Sequence, residues 1–364
     1  MRTCKIVAFE TTDIALQLID IPIPSLKEHE ILVRNEYATL CRSDIYTFTG
    51  IRKEKNPTIL GHEIIGRIDS FETNKPVFDL RGNLLNIGDR ITWAIFASDP
   101  SSEFSKRGMP QKAADLFKYG HEQITEESTL HGGLSEFTIL RKNTPIIKIN
   151  EAVPLTVGAI INCAVATVAG AIRIAGDLVG KKVLICGTGM LGIIACAMAK
   201  LKGASTVIAV DTNEERLKIA LEFGADENLV IKSGQNNIVE SYFEKNGGNI
   251  LIDTLIDLSG SPDAMENCMD TLEIGGTAVF IGATFPQRKI QIDAEKVVRK
   301  ILTIKGLHNY NEQDLLSAVE FIETNYLTFP FGKLIYDGFT LATANEAFKH
   351  AIDQNNFRVG IQTT

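Results

Sequence analysis

The sequence predicts an α/β protein of two domains, a doubly wound parallel sheet and a β-rich partner in the form of a partly open barrel. Three observations predict it. The 364 residues exceed the roughly 100–200 of a single domain. Between Lys181 and Lys300 short apolar runs alternate with segments of helical periodicity, the order that the crossover connections of a parallel sheet require. Up to about Asn150 the runs are shorter, alternate in polarity and are punctuated by glycine and proline, as barrel strands are.

In chain order, Ile31 to Val33, Ile64 to Ile68 and Arg90 to Ile95 read as barrel strands. Val153 to Ile172 carries no charge and is long enough to cross a bilayer. Pro154, Asn162, Cys163 and two threonines within it fit a pair of buried core helices instead. Lys182 to Cys186 is then a strand, Met190 to Lys202 a helix, Thr206 to Val210 a strand and Asn213 to Phe223 a helix. Further strands fall at Thr254 to Leu258 and Gly276 to Ile281. After Ile304 the chain passes through Leu307 to Tyr310 and a helix from Glu312 to Thr324. A last helix and strand, ending near Val359, return to the first domain.

Composition narrows the function. With 45% hydrophobic and 23% charged residues the chain has the make-up of a globular enzyme or binding protein. Its net charge of -8, with no Lys/Arg cluster to offset it, argues against a nucleic-acid partner. The first nine residues hold Arg2 and Lys5 and lack the apolar run of a signal peptide. Cysteines at 4, 41, 163, 186, 196 and 268 are too scattered for a disulfide framework. Reduced thiols in a cytoplasmic protein, with no membrane contact, are expected.

The run Val183-Leu-Ile-Cys-Gly187-Thr-Gly189-Met190-Leu191-Gly192 puts a buried strand before G-x-G-x-x-G and an apolar helix after it. That is the dinucleotide-binding arrangement of a Rossmann sheet, in which a pyrophosphate approaches the glycine backbone at the positive end of the helix. The next strand ends in Asp211, about twenty residues further on, where a carboxylate accepts hydrogen bonds from the adenine-ribose hydroxyls and repels a 2′-phosphate. The expected coenzyme is NAD. Arg216 is placed to cover the adenosine edge or to sit solvated on its helix.

Three separated pieces carry soft ligands: Cys41-Arg42-Ser43-Asp44, Gly61-His62-Glu63 and Asn162-Cys163. Two thiolates and an imidazole suit tetrahedral zinc, and three protein ligands leave a fourth position open for catalysis. Spacing alone does not establish the assembly, because a lone Cys or His also serves a core.

With C-R-S-D, G-H-E-I-I-G, G-D-R at Gly88 to Arg90, G-T-G-M-L-G and the run from Asp211 to Asp226, the sequence resembles the zinc-containing medium-chain dehydrogenase family over essentially its whole length. The resemblance implies a GroES-like catalytic domain at 1–152, a Rossmann NAD-binding domain at 153–304 and a return segment at 305–364. It implies that Cys41, His62 and Cys163 bind one catalytic zinc, with Glu63 approaching it during ligand exchange. Cys163 gives the alcohol-dehydrogenase ligand set where polyol dehydrogenases tend to carry Glu. Asp44 is implied to hold the His62 ring, where it also reads as a turn carboxylate, Ser43 to take the proton of the bound alcohol, and Arg42 to pair with the pyrophosphate, where it reads equally as a solvated surface arginine. Leu258 to Gly260 and Ile281 to Gly282 are implied to line the nicotinamide. The activity implied is hydride transfer between an alcohol, or its aldehyde or ketone, and NAD, by a dimer or tetramer.

The sequence also departs from the family. Where many relatives carry C-x2-C-x2-C-x7-C for a structural zinc, it has Asp99, Ser102, Ser105 and Ala113, so that second metal is not expected. Where many carry a histidine that ends the proton relay, it has Tyr46, a wall or orienting group of the site or else a barrel-core residue. Leu116 to Glu122 and Gly306 to Tyr310 resemble a subgroup associated with phosphonate metabolism. That subgroup implies an anionic or small polar alcohol met by Arg52, Lys53, Lys118, His121 or His308, each also readable as a surface cation or core histidine. A zinc-free quinone or enone reductase, or a non-catalytic coenzyme-binding protein, uses the same fold without needing the ligand set.

Overall fold

The structure is a computed structural model that describes residues 2–73, 75–231 and 252–364. The chain divides into two compact units, Met1–Ala166 with Asn311–Thr364, and Thr167–Tyr310.

The first unit is built on antiparallel pairs. Strands β1 (Thr3–Phe9), β2 (Gln17–Pro22) and β4 (Thr58–Ile59) form a small sheet in the order β2-β1-β4. The larger sheet runs β10-β6-β5-β3-β18-β17, with β9 also paired to β3. Its members are β3 (Ile31–Leu40), β5 (Glu63–Phe71), β6 (Arg90–Trp93), β9 (Phe137–Leu140), β10 (Ile146–Lys148), β17 (Ile335–Thr340) and β18 (Arg358–Gln362). Irregularities between Leu32 and Val33 and between Asn35 and Tyr37 shift the β3–β5 register; such bulges bend a strand and let a sheet curl toward a barrel. A two-stranded pair, β7 (Phe96–Ala97) and β8 (Phe117–Lys118), lies beside it.

The C-terminal segment completes this unit. β18 inserts between β3 and β17, pairing antiparallel with the first and parallel with the second. The helix Ala344–Gln354 supplies Ala347, Phe348 and Ala351 to a core that also holds Ile6, Phe9, Leu60, Leu134 and Ile361.

The second unit carries a six-stranded sheet, all parallel, in the order β13-β12-β11-β14-β15-β16. The strands are β11 (Lys182–Cys186), β12 (Thr206–Asp211), β13 (Glu227–Val230), β14 (Ile252–Asp257), β15 (Leu272–Phe280) and β16 (Thr303–Gly306). Counted from β11 the order is 3-2-1-4-5-6, the doubly wound dinucleotide-binding topology. Helices Met190–Leu201, Glu214–Glu222, Pro262–Met269 and Ala294–Lys300 belong to the crossovers. The strand expected at Gly276 begins earlier, at Leu272, because the Gly275-Gly276 pair lies inside the strand instead of starting it.

One stretch corrects the expectation of two separate core helices. Leu155–Ala175 is a single helical run, and 78% of its most apolar window is buried. It is α-helical at Leu155–Ala159, widens to a π turn at Ile161–Val165 and resumes at Ala166–Ala175. The change of composition at Pro154 therefore marks the start of a helix, whereas the units part at Ala166 and at Tyr310.

Candidate functional site

β3 ends at Leu40, and Cys41 caps the short helix α1 (Arg42–Phe48). The Cys41 amide donates to Asp44 Oδ2 at 2.8 Å, and the other Asp44 oxygen accepts from the Gly61 amide at 3.1 Å. One buried carboxylate thus fixes both Cys41 and the residue before His62. Asp44 Oδ1 also stands 3.4 Å from His62 Nδ1, within ion-pair reach but longer than an ordinary hydrogen bond.

Glu63 opens β5 opposite Thr39. Its Oε2 accepts from Thr39 Oγ1 at 2.6 Å and from Arg358 Nε at 2.6 Å, and its Oε1 from Arg358 Nη2 at 2.8 Å. The same guanidinium lies 3.6 Å from Cys41 Sγ. Cys163 arrives on the π turn. The donor atoms of Cys41, His62, Glu63 and Cys163 all lie within 4.8 Å of one another.

Their protons are shared accordingly. Cys41 sits well below the ordinary thiol range, because Cys163 donates to it and Arg358 and His62 favour its thiolate against burial. Cys163 is pushed well above that range as the donor of the pair and by burial. Burial works against charge on His62, but Asp44 and Cys41 outweigh it and hold the imidazole up to about 10. Burial raises Glu63, with Arg358 opposing. Protons held this way are the ones a divalent cation displaces. Two sulfurs, an imidazole with a buried Nδ1 that lacks a well-formed hydrogen bond and a nearby carboxylate match the donor preferences of zinc.

The remaining expected residues fall as follows. Ser43 is half-buried in the first turn of α1 and its carbonyl accepts from Thr47 Oγ1. Tyr46 is half-buried, with the Arg42 guanidinium 5.9 Å from its ring centre. Arg42 is exposed and donates to Asn355 Oδ1 at 2.5 Å. Arg52 and His121 both reach Glu54, at 2.5 and 3.1 Å, and the His121 ring lies 5.0 Å from that of His62. The turn carrying Lys118 and His121 comes this close because of Gly120, where a Cβ would stand 2.6 Å from the Gly61 carbonyl. Burial and Arg52 lower Lys118 to about 8. Lys53 and His308 are exposed, and His308 belongs to the other unit. Asp99 and Ser102 organise their own loop: Asp99 accepts from Ser101 at 2.8 Å, and Ser102 caps Glu103–Lys106 through Ser105 at 3.2 Å.

In the second unit Gly189 caps the helix holding Met190, Leu191 and Gly192, and the space where a Cβ would stand on Gly189 is open. A Cβ on Gly192 would strike the Gly187 carbonyl, so glycine is required there for helix and strand to meet. Asp211 Oδ2 accepts from the Thr188 amide at 2.6 Å and its hydroxyl at 2.9 Å, while Oδ1 accepts from the Asn213 amide at 2.9 Å. Arg216 is half-buried on the following helix. Leu258 and Ile281 follow β14 and β15, their amides donating to Cys186 and Asp257 carbonyls at 2.8 and 3.0 Å.

Sequence reasoning missed Arg358, Thr39 and Asp257. The last is a buried carboxylate that holds Ser259 at 2.6 Å and the Gly260 amide at 3.2 Å. Arg358 had one usable signal, a lone charge between Phe357 and Val359 in an apolar strand.

The family described as "Alcohol dehydrogenase GroES-like domain" matches residues 27–151, and that described as "Zinc-binding dehydrogenase" matches residues 191–324. L-threonine 3-dehydrogenase of Aeromonas hydrophila is 25% identical over 300 residues, 81% of each chain. Acryloyl-coenzyme A reductase of Sulfurisphaera tokodaii is 26% identical over 343 residues, 93% of each. The crystal structure of an alcohol dehydrogenase from Thermotoga maritima is similar with a TM-score of 0.92 and 26% identity, covering 100% of both chains. With one matching domain on each unit and a full-length structural likeness, the chain belongs to the zinc-type medium-chain alcohol dehydrogenase family.

Proposed function

We propose that the chain is an NAD-dependent zinc dehydrogenase that interconverts an alcohol with its aldehyde or ketone. The gathering of Cys41, His62, Glu63 and Cys163 donors within 4.8 Å carries this reading. Zinc held by Cys41, His62 and Cys163 supplies Lewis acidity toward the alcohol or carbonyl oxygen. The alcohol's hydroxyl proton would pass to Ser43, on the turn that Cys41 begins, as Ser43 hands its own hydroxyl proton on toward solvent, and the coenzyme, when bound, would accept the hydride. Arg358 and Thr39 keep Glu63 oriented beside the donors, ready for ligand exchange. The open backbone at Gly189 receives the pyrophosphate at a helix N-terminus. Asp211, already oriented by Thr188 and Asn213, receives the ribose hydroxyls and disfavours NADP. Lys118 and Arg52 are the cations that a polar or anionic alcohol meets on this side of the donors.

Six free cysteines suit a reduced compartment, and we place the enzyme in the cytoplasm. A second copy of the chain is the proposed partner. The edge strand β16 is exposed throughout, and Ile274, Val298 and Ile301 nearby in the same unit are each more than half exposed.

Elemental analysis is expected to find about one zinc per chain, and Cys163→Ala to lower both zinc and turnover while coenzyme binding persists. Two zincs per chain overturns the expectation that the Asp99-to-Ala113 lobe binds none, and full zinc with full turnover in Cys163→Ala overturns the ligand assignment. A zinc-free enone reductase, the reading that the acryloyl-coenzyme A reductase likeness raises, keeps its activity after chelation; loss of alcohol oxidation on chelation separates the two. Ser43→Ala is expected to cost on the order of a hundredfold in kcat, and Tyr46→Phe to keep most of it, because the phenyl ring preserves the wall that the half-buried Tyr46 forms while Ser43 remains to take the proton. Collapse of turnover in Tyr46→Phe makes the phenol the relay.

A further inference from the structure

The start of β5 is a strand with an unfinished edge. On one side, Thr39, Ala38 and Tyr37 of β3 face Glu63, Ile64 and Ile65. On the other side, β6 pairs only farther along, at Gly66 and Arg67. The buried His62 carbonyl and Ile64 amide on that open edge need partners, because an orphaned backbone group in a core costs as much as a lost hydrogen bond. Both find them in one side chain. Asn162 Nδ2 donates to the His62 carbonyl at 3.0 Å, and Asn162 Oδ1 accepts from the Ile64 amide at 3.3 Å. Asn162 itself is fully buried.

The planar carboxamide thus stands in for the N–H and C=O of one residue of a missing neighbouring strand. It bridges the two bonds that bracket Glu63, as a parallel partner's backbone does. Only a group with a donor and an acceptor in one plane serves; aspartate offers acceptors alone. Asn162 lies in the π turn, where the Val165 amide reaches back five residues to the Ile160 carbonyl at 3.2 Å. Such single π turns redirect side chains within a helix and recur at functional sites. The next residue is Cys163.

We infer that Asn162 is a positioning residue for the metal centre: its carboxamide, acting as a substitute strand peptide, locks the π turn that carries Cys163 onto the strand that carries His62 and Glu63. The distance between the Cys163 sulfur and the other donors is set by this clamp, since the turn and β5 lie far apart in sequence. The inference rests on the metal-site reading above. It goes further by assigning the geometry of the third ligand to a residue outside the donor set.

The test uses the full-length protein loaded with cobalt(II) or zinc, as wild type, Asn162→Asp, Asn162→Ala and, as a core-destabilised control, Leu140→Ala. Asp keeps the shape and, when ionised, removes the donor; Ala removes both bonds. Both Asn162 variants are expected to lose metal affinity about 10- to 100-fold, the usual cost of removing an orienting partner, and to show a weakened thiolate-to-cobalt absorption band. Leu140→Ala, which lowers thermal stability without touching the clamp, is expected to keep the wild-type band. If the Asn162 variants bind metal with wild-type affinity and spectrum, or if Leu140→Ala perturbs the band as much as they do, the clamp is not what positions Cys163. A wild-type protein that binds neither metal overturns the metal-site reading itself, a result distinct from the first two.

Discussion

Arg358 and Glu63 are the buried charges on which the site is braced, 4% and 0% exposed, joined by two hydrogen bonds of 2.6 and 2.8 Å. Replacing both members of such a pair with neutral groups is often tolerated, but removing one strands the other in a low-dielectric core. Arg358→Met is therefore expected to destabilise the protein by about 3–5 kcal/mol, and Arg358→Met with Glu63→Gln to recover much of that loss. Denaturant titration of the three proteins checks it; a single variant within ~1 kcal/mol of wild type would mean that the pair is solvated after all. The same pair marks a limit of reading by sequence. Cys41, His62 and Cys163, which the structure brings together, could be singled out because zinc chemistry restricts ligands to a few residue types and the family motifs surround them. Arg358 was not, because a positioning arginine has no such restriction and stands 295 positions from its partner. Asp44 was read as a holder of His62; its shorter bonds go to the backbone of Cys41 and Gly61.

Among the elements, the four inner strands of the parallel sheet were legible, and its edge strands β13 and β16 were not. Its central strands are buried on both faces, so Val183 to Cys186 and Val207 to Val210 are unbroken apolar runs, and the helices between them keep their own period. The barrel unit hid more. β4, β7 and β8 have two residues each, too few for any alternation to register. β2 is exposed along nearly its whole length, so no apolar face announces it. The π turn was invisible for a different reason: it changes hydrogen-bond register without changing composition. The one trace it left is Asn162, a polar residue in the middle of an apolar helix, which is where a backbone group elsewhere lacked a partner.

At the scale of the whole molecule, the last strand of the chain sits between β3 and β17, so the first unit closes only when residues more than 300 positions apart have met. Sequence reasoning anticipated the return of the tail but not its insertion between β3 and β17, which nothing local to β18 encodes. Stability of this unit is also tied to pH through His131, which is 1% exposed. Burial lowers its imidazole from 6.5 to about 4, with Glu122 and the Gln123 backbone opposing too weakly to offset it. The unfolded chain takes up this proton near 6.5 and the folded chain only near 4. The stabilisation from the neutral ring is therefore complete above that higher value and is lost as pH falls from it toward the lower one. The loss is of the order of 3 kcal/mol when fully expressed. His131→Phe removes the titrating group while keeping an aromatic ring beside Phe117, whose centre lies 6.2 Å from that of His131. Urea midpoints measured between about pH 4 and 7 should fall steeply for the wild type and less steeply for the variant. Protonation of the metal donors lowers both curves alike and cancels in their difference. Parallel curves would show that His131 takes its proton in the folded state at its ordinary pKa, and that the acid sensitivity of this unit lies in other groups, the metal donors and the buried His121 among them.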